Sequence, residues 1–208
     1  MKTIVYIDGL NFYYGCVKGT PYKWLDFKKL VQRLTRGNNQ IVKTKYFAAP
    51  ILGDVLGHNR QMAYWRALKA QIPELSICEG RFKPVTHPAR LANQPSKEVL
   101  VRRHQEKRTD VNIAVHLLDD AWTDSYECAI VISNDSDLEG ALRMLKSRYP
   151  QKRVTAIPPI IASGKRISRD LTQHADSVIK ITEADLAASQ LPDNIPGTNI
   201  KKPKEWQS

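Results

Sequence analysis

The run Cys128-Ala129-Ile130-Val131-Ile132-Ser133 has no polar side chain before its last residue. A strand without polar alternation is one buried on both faces. That is the habit of parallel sheets, whose crossover helices cover both sides. The rest of the chain alternates in the same sense. Residues 3–7 form a short β-rich run ending in Asp8-Gly9, and residues 41–49 and, more weakly, 75–82 read as further strands. Residues 154–157 and 178–181 are two more. Between them, helical spacing marks residues 27–34, 58–71, 111–118 and 138–148. Residues 36–39 break the first of these helices, and Val111, Ala114, Val115 and Leu118 are expected on the buried face of the third. Strands alternating with helices predict an α/β fold, a mainly parallel sheet covered on both sides. Its 208 residues suit one domain, expected over 1–185.

Two stretches stand outside this alternation. Residues 83–96 hold Pro84, Pro88 and Pro95 and read as a long loop. It continues into the basic run 97–108, so that 83–106 is expected as an inserted basic loop or helix. Residues 191–208, with three prolines, a glycine and Lys201, Lys202 and Lys204, read as a disordered basic tail.

Lys and Arg number 32 against 21 Asp and Glu, a net charge of +11. That excess favours a polyanionic partner, nucleic acid first. No apolar run approaches the roughly 20 residues that span a bilayer. Asp8 interrupts the only apolar stretch near the start, so no secretion signal is read and the cytoplasm is the expected address. Cys16, Cys78 and Cys128 form neither a CxxC pair nor a zinc pattern, and His58, His87, His104, His116 and His174 lack HxH or HExxH spacing. Reduced thiols are expected. A zinc enzyme is not, and no Walker A, GxGxxG or serine-nucleophile motif occurs.

The acids fall at strand ends. Asp8 closes the first strand, Asp135 and Asp137 follow the buried one, and Asp110 opens the third helix. In open parallel sheets ligands bind outside the carboxyl ends of strands. Each acid alone has a plain role, Asp8 as part of a turn, Asp110 and Asp135 or Asp137 as helix caps. Together they ask for a hard divalent cation, since clustered carboxylates repel unless something neutralises them. Asn11 can position water or phosphate without adding charge, and Ser133 can donate to a carboxylate or a phosphate. Residues 97–108 and 143–153 are basic and flank the acids in sequence, as walls along a phosphodiester backbone would. Phe12, Tyr13 and Tyr14 can stack on bases or fill the core.

Three stretches, VYIDGLNFYYG (5–15), KRTDVNIAVHLL (107–118) and VISNDSDLEGAL (131–142), resemble the NYN domain family, the PIN-like nucleases that include the LabA-like proteins. That family has Asp-x-x-Asn after its first strand, Lys-x-x-Asp at a helix start and Ser-x-Asp-x-Asp after a central strand. Residues 163–181 resemble its closing unit. The resemblance implies a PIN-like three-layer α/β/α sandwich and a Mg²⁺- or Mn²⁺-dependent nuclease, acting on RNA more often than DNA. It makes Asp8, Asp110, Asp135 and Asp137 the metal-binding and catalytic acids and Asn11 a positioning residue. By the same resemblance Lys107 and Ser133 become contacts to the acids or to phosphate, while Arg103 and Arg108, from the basic run 97–108, are expected with them as substrate-binding residues. The chain departs from the pattern at Asn134 and Ser136, where many relatives have glycine, and at His116, where many carry an acid. The leading expectation is an endoribonuclease cutting single strands. The alternative is a nucleic-acid-binding or regulatory module with little or no catalysis; a phosphatase ranks last, because +11 does nothing for a small substrate. A homodimer would join two half-grooves into one basic channel, though no residue singles it out.

Overall fold

The computed structural model describes residues 1–35, 39–161 and 166–206. The expected break at 36–38, residues 163–165 of the family's closing unit and the last two residues of the tail lie outside them. Six parallel strands form the central sheet in the order β3-β2-β1-β6-β7-β8. They are β1 (Lys2–Asp8), β2 (Gln40–Ala48), β3 (Leu75–Glu79), β6 (Cys128–Ile132), β7 (Arg153–Ala156) and β8 (Ser177–Val178). The chain winds outward from β1 to β3, then returns to β6 beside β1 and winds outward the other way. The crevice at the carboxyl ends of β1 and β6 is therefore the topological switch point, where such sheets bind ligands.

Strand alternation sorts two cores. Val5 and Ile7 of β1 and Ile130 and Ile132 of β6 face one side, where α1 (Gly9–Phe12), α2 (Phe27–Leu34), α3 (Val55–Gln71) and α7 (Glu183–Ala188) pack. Ile4, Tyr6, Ala129 and Val131 face the other, under α4 (Thr109–Trp122), α5 (Glu139–Arg148) and α6 (Arg169–Thr172). The result is the three-layer sandwich expected of a PIN-like fold. Among the described residues no helix is long and apolar enough to cross a membrane.

Three expectations are corrected. The first concerns residues 83–106, which are neither loop nor helix. They form most of an antiparallel ribbon, β4 (Arg81–Leu91) and β5 (Gln94–Lys107), that pairs with no other strand among the described residues. Pro84 and Pro88 lie four apart and share one orientation, and a two-stranded ribbon tolerates proline where the missing N–H faces away from the partner. The second is the tail. Leu191 and Ile195 are buried, the Trp24 indole donates to the Pro192 carbonyl at 2.9 Å, and Trp206 packs edge-on against Trp24 and Tyr64. Spaced apolar residues dock the segment in spite of its prolines and lysines.

The third is the face of α4. Ile113, Leu117 and Ala121 are buried, while Val111 and Val115 are exposed. A buried charge network seats the helix this way. Asp120 Oδ2 accepts from Lys45 Nζ at 2.6 Å and from the Tyr6 hydroxyl at 2.7 Å. Lys45 Nζ also lies 3.1 Å from His116 Nδ1, whose pKa burial and Lys45 push down.

Candidate metal centre

Asp8 ends β1 and caps α1. Its Oδ1 accepts from the Asn11 backbone N–H at 2.9 Å and its Oδ2 from the Ser133 hydroxyl at 3.1 Å. The following glycine is required by close approach: a Cβ on Gly9 would lie 2.7 Å from the Tyr46 ring and 2.8 Å from the Phe47 carbonyl. Parallel pairing of β1 with β6 brings Ser133 level with Asp8. Ser133 is fully buried, and its hydroxyl accepts from the Asp135 N–H at 3.1 Å. Of its two expected uses, the bond to a carboxylate is the one formed. Asp135 in turn accepts from the Asp137 N–H at 3.0 Å, capping a 3-10 turn.

Asn11 and Asn134 brace this crevice. The Asn11 side chain accepts from the Asn134 N–H at 3.1 Å. Asn134 accepts from the Ser168 N–H at 2.8 Å and donates to the Arg166 carbonyl at 3.1 Å. A glycine at 134 would make neither of those last two bonds. Asp110 arrives from a third segment, in the first turn of α4, where the helix dipole favours an acid. Arg108, at φ 84°, turns the chain from the ribbon into α4.

One carboxylate oxygen from each of Asp8, Asp110 and Asp135 lies within 4.8 Å of the other two. Burial pushes the Asp8 pKa up to about 7, against the pull of its two hydrogen bonds, and the charges of Asp110 and Glu106 add to the rise. Asp110 is raised by burial and then by Asp135 and Asp137. Asp137 is exposed; its charge reaches Asp110, but its carboxylate is not one of the three converging groups. Glu106 lines the same cleft of about 430 Å³. It too is raised, chiefly by burial, with a Thr109 hydrogen bond acting against the rise. Its place inside a basic run hid it in the sequence.

This donor set fits a hard cation. Asp8, Asp110 and Asp135 would hold such an ion through carboxylate oxygens, the ligands hard divalent cations take together with water. Arg103, Lys107 and Arg108 lie elsewhere. They are exposed on the ribbon and at its exit, and none lines the cleft. The aromatic run divides by helical spacing: Phe12 is buried, and Tyr13 and Tyr14 are exposed.

A parallel sheet whose switch point gathers three acids from three segments defines a PIN-like α/β protein. The NYN domain profile matches residues 2–182, and the chain belongs to the NYN domain family, a nuclease-like family. It is also 30% identical to the 6-hydroxy-3-succinoylpyridine 3-monooxygenase HspA of Pseudomonas putida, over 99% of this chain and 75% of that protein. A crystal structure of a protein of unknown function from Vibrio parahaemolyticus resembles it in fold. That match has a TM-score of 0.57 and 19% identity, and covers 91% of this chain and 96% of the other.

Proposed function

We propose that this protein is a metal-dependent nuclease that hydrolyses phosphodiester bonds, with single-stranded RNA as its preferred substrate. The observation that carries the reading is the convergence of Asp8, Asp110 and Asp135 at the switch point. Asp8, Asp110 and Asp135 would hold Mg²⁺ or Mn²⁺, with Asp137 as an outer acid. When bound, the cation supplies a Lewis acid for the phosphoryl oxygen and an activated water. Asp8 gives up its proton as the site loads, so binding strengthens with pH. Ser133 holds the Asp8 and Asp135 segments together, and Asn11 holds the crevice open at a fixed width. Burial of Asp8 keeps competing water from its carboxylate.

The substrate path runs along the ribbon in this reading. The register pairs Arg81 with Lys107, Lys83 with Gln105 and Val85 with Arg103, which sets four cations on one face. Phosphates on that face would lead past Arg108 to the acids, without base-specific contacts.

A second reading is favoured by the long match to the monooxygenase together with an aromatic cavity of about 460 Å³ beside the acids. In it the same centre acts on a small heteroaromatic compound. Cleavage of end-labelled single-stranded RNA and DNA with Mg²⁺, Mn²⁺ or EDTA, against the triple variant Asp8→Asn, Asp110→Asn, Asp135→Asn, separates the two. Metal-dependent cutting absent from the variant supports the nuclease. No cutting under any condition overturns it, and oxygen uptake driven by a hydroxypyridine together with a reduced nicotinamide, which supplies the two electrons that take the second oxygen atom to water, would then support the second reading.

A further inference from the structure

A second cavity, of about 460 Å³, shares Leu10 with the cleft that holds the acids. Its walls are aromatic and come from distant parts of the chain. Phe12 comes from α1, Tyr46 from β2, Tyr64 from α3, Phe82 from the ribbon and Trp206 from the docked tail. Leu10 and Tyr14 line both this cavity and the acidic cleft, so the two spaces are neighbours across one short helix. Lys23 and Arg60 stand at its polar edge.

Tyr46 supplies the feature a plain packing gap lacks. The residue is only 8% exposed, and it is part of the cavity wall. A tyrosine has an apolar ring and a polar tip, and on an apolar cavity wall that tip is a handle for whatever enters. The volume lies within the usual range for small-molecule sites, and aromatic walls with a few polar groups are their usual lining.

We propose that this cavity is the ring-binding subsite of the acidic centre, taking a planar heteroaromatic ring between aromatic walls with the Tyr46 hydroxyl as its polar contact. The proposal rests on the acids being the reaction centre. The ring is either a nucleobase of a bound strand, its phosphate reaching the acids past Leu10 and Tyr14, or a free heteroaromatic compound. Stacking tolerates any base, so the subsite contributes affinity and position, with selectivity from the hydroxyl and the cavity's depth.

The test uses the full chain in EDTA, so that no cleavage chemistry contributes. Adenosine, guanosine, cytidine, uridine and pyridine-3-carboxylate are titrated separately, read by quenching of tryptophan fluorescence and by calorimetry. Saturable binding of at least one ring is expected. It should weaken at least tenfold in Phe82→Ala and in the nearly isosteric Tyr46→Phe, and persist in the triple acid variant. Binding of nucleosides alone assigns the ring to a nucleic acid strand; binding of the pyridine alone assigns it to a free compound. Absence of saturable binding by every ring, or binding unaffected by both cavity variants, overturns the subsite. A protein that cuts RNA but binds no ring loses only this inference. One that binds rings but cuts nothing loses only the nuclease.

Discussion

Replacing Asp8 by asparagine should stabilise the metal-free protein, although it removes the acid most deeply set in the centre. Asp8 is 3% exposed, and its pKa is pushed from an ordinary 3.8 to about 7. The folded state therefore holds the Asp8 proton more tightly than the unfolded chain. Its favourable contribution is complete below pH 3.8 and is lost as pH rises through about 7. At 1.36 kcal/mol per pH unit the loss is about 4 kcal/mol. Asparagine keeps the cap, since its oxygen still accepts from the Asn11 N–H, and the Ser133 hydroxyl can rotate to accept from its amide. Some of the gain is lost to relaxation, so about 2–4 kcal/mol is expected, or roughly 4–15 °C for a chain of this size. Thermal denaturation in EDTA at pH 8 should show Asp8→Asn above the wild type by that margin. At pH 5 the gap should shrink by more than half, and it should close once the pH falls below 3.8. Added Mg²⁺ should raise the wild type at pH 8 and leave the variant where it was. A variant less stable than the wild type at pH 8 in EDTA would refute the reasoning, for the carboxylate would then be neither desolvated nor crowded.

Lys45→Met leaves Asp120 charged and buried without its ion pair and should lower stability by about 3–5 kcal/mol in urea denaturation; the double variant Lys45→Met, Asp120→Leu should recover much of it, and a single variant as stable as wild type would mean the pair does not seat α4. Truncation after Leu191 removes Ile195, the Trp206 packing and the acceptor of the Trp24 indole. It should cost about 3–6 kcal/mol by area and hydrogen-bond bookkeeping; an unchanged melting temperature would show that the tail is not docked in solution. Arg103→Ala with Lys107→Ala should weaken binding to single-stranded RNA and shallow the slope of log K against log salt by about 1.4; an unaltered slope would take both side chains off the phosphate path.

What could be read from the chain alone was whatever a short segment decides for itself. The continuous apolar run at 128–132 has only one way to be buried, between two helical layers, so it carries the parallel sheet with it. Asp8, Asp110 and Asp135 were legible for the same reason, each sitting where a strand stops or a helix begins. What the sequence left open depends on residues far apart. α4 carries apolar side chains around most of its circumference, and local periodicity chose Val111 and Val115. The buried face includes Asp120, which is tolerable there only because Lys45 and Tyr6, 75 and 114 residues away, supply its hydrogen bonds. Glu106 looked like part of a solvated basic run until the ribbon set it against Asp110. Pro84 and Pro88 read as loop because proline's missing donor counts against a central strand, and no local signal shows that they lie in a two-stranded ribbon. The aromatic cavity needs five segments to close it. Backbone preference and burial of a run are local free energies, and the sequence displays them. The partner of a buried charge, the occupant of an exposed edge and the walls of a cavity belong to pairs of distant residues, and only the tertiary structure selects them.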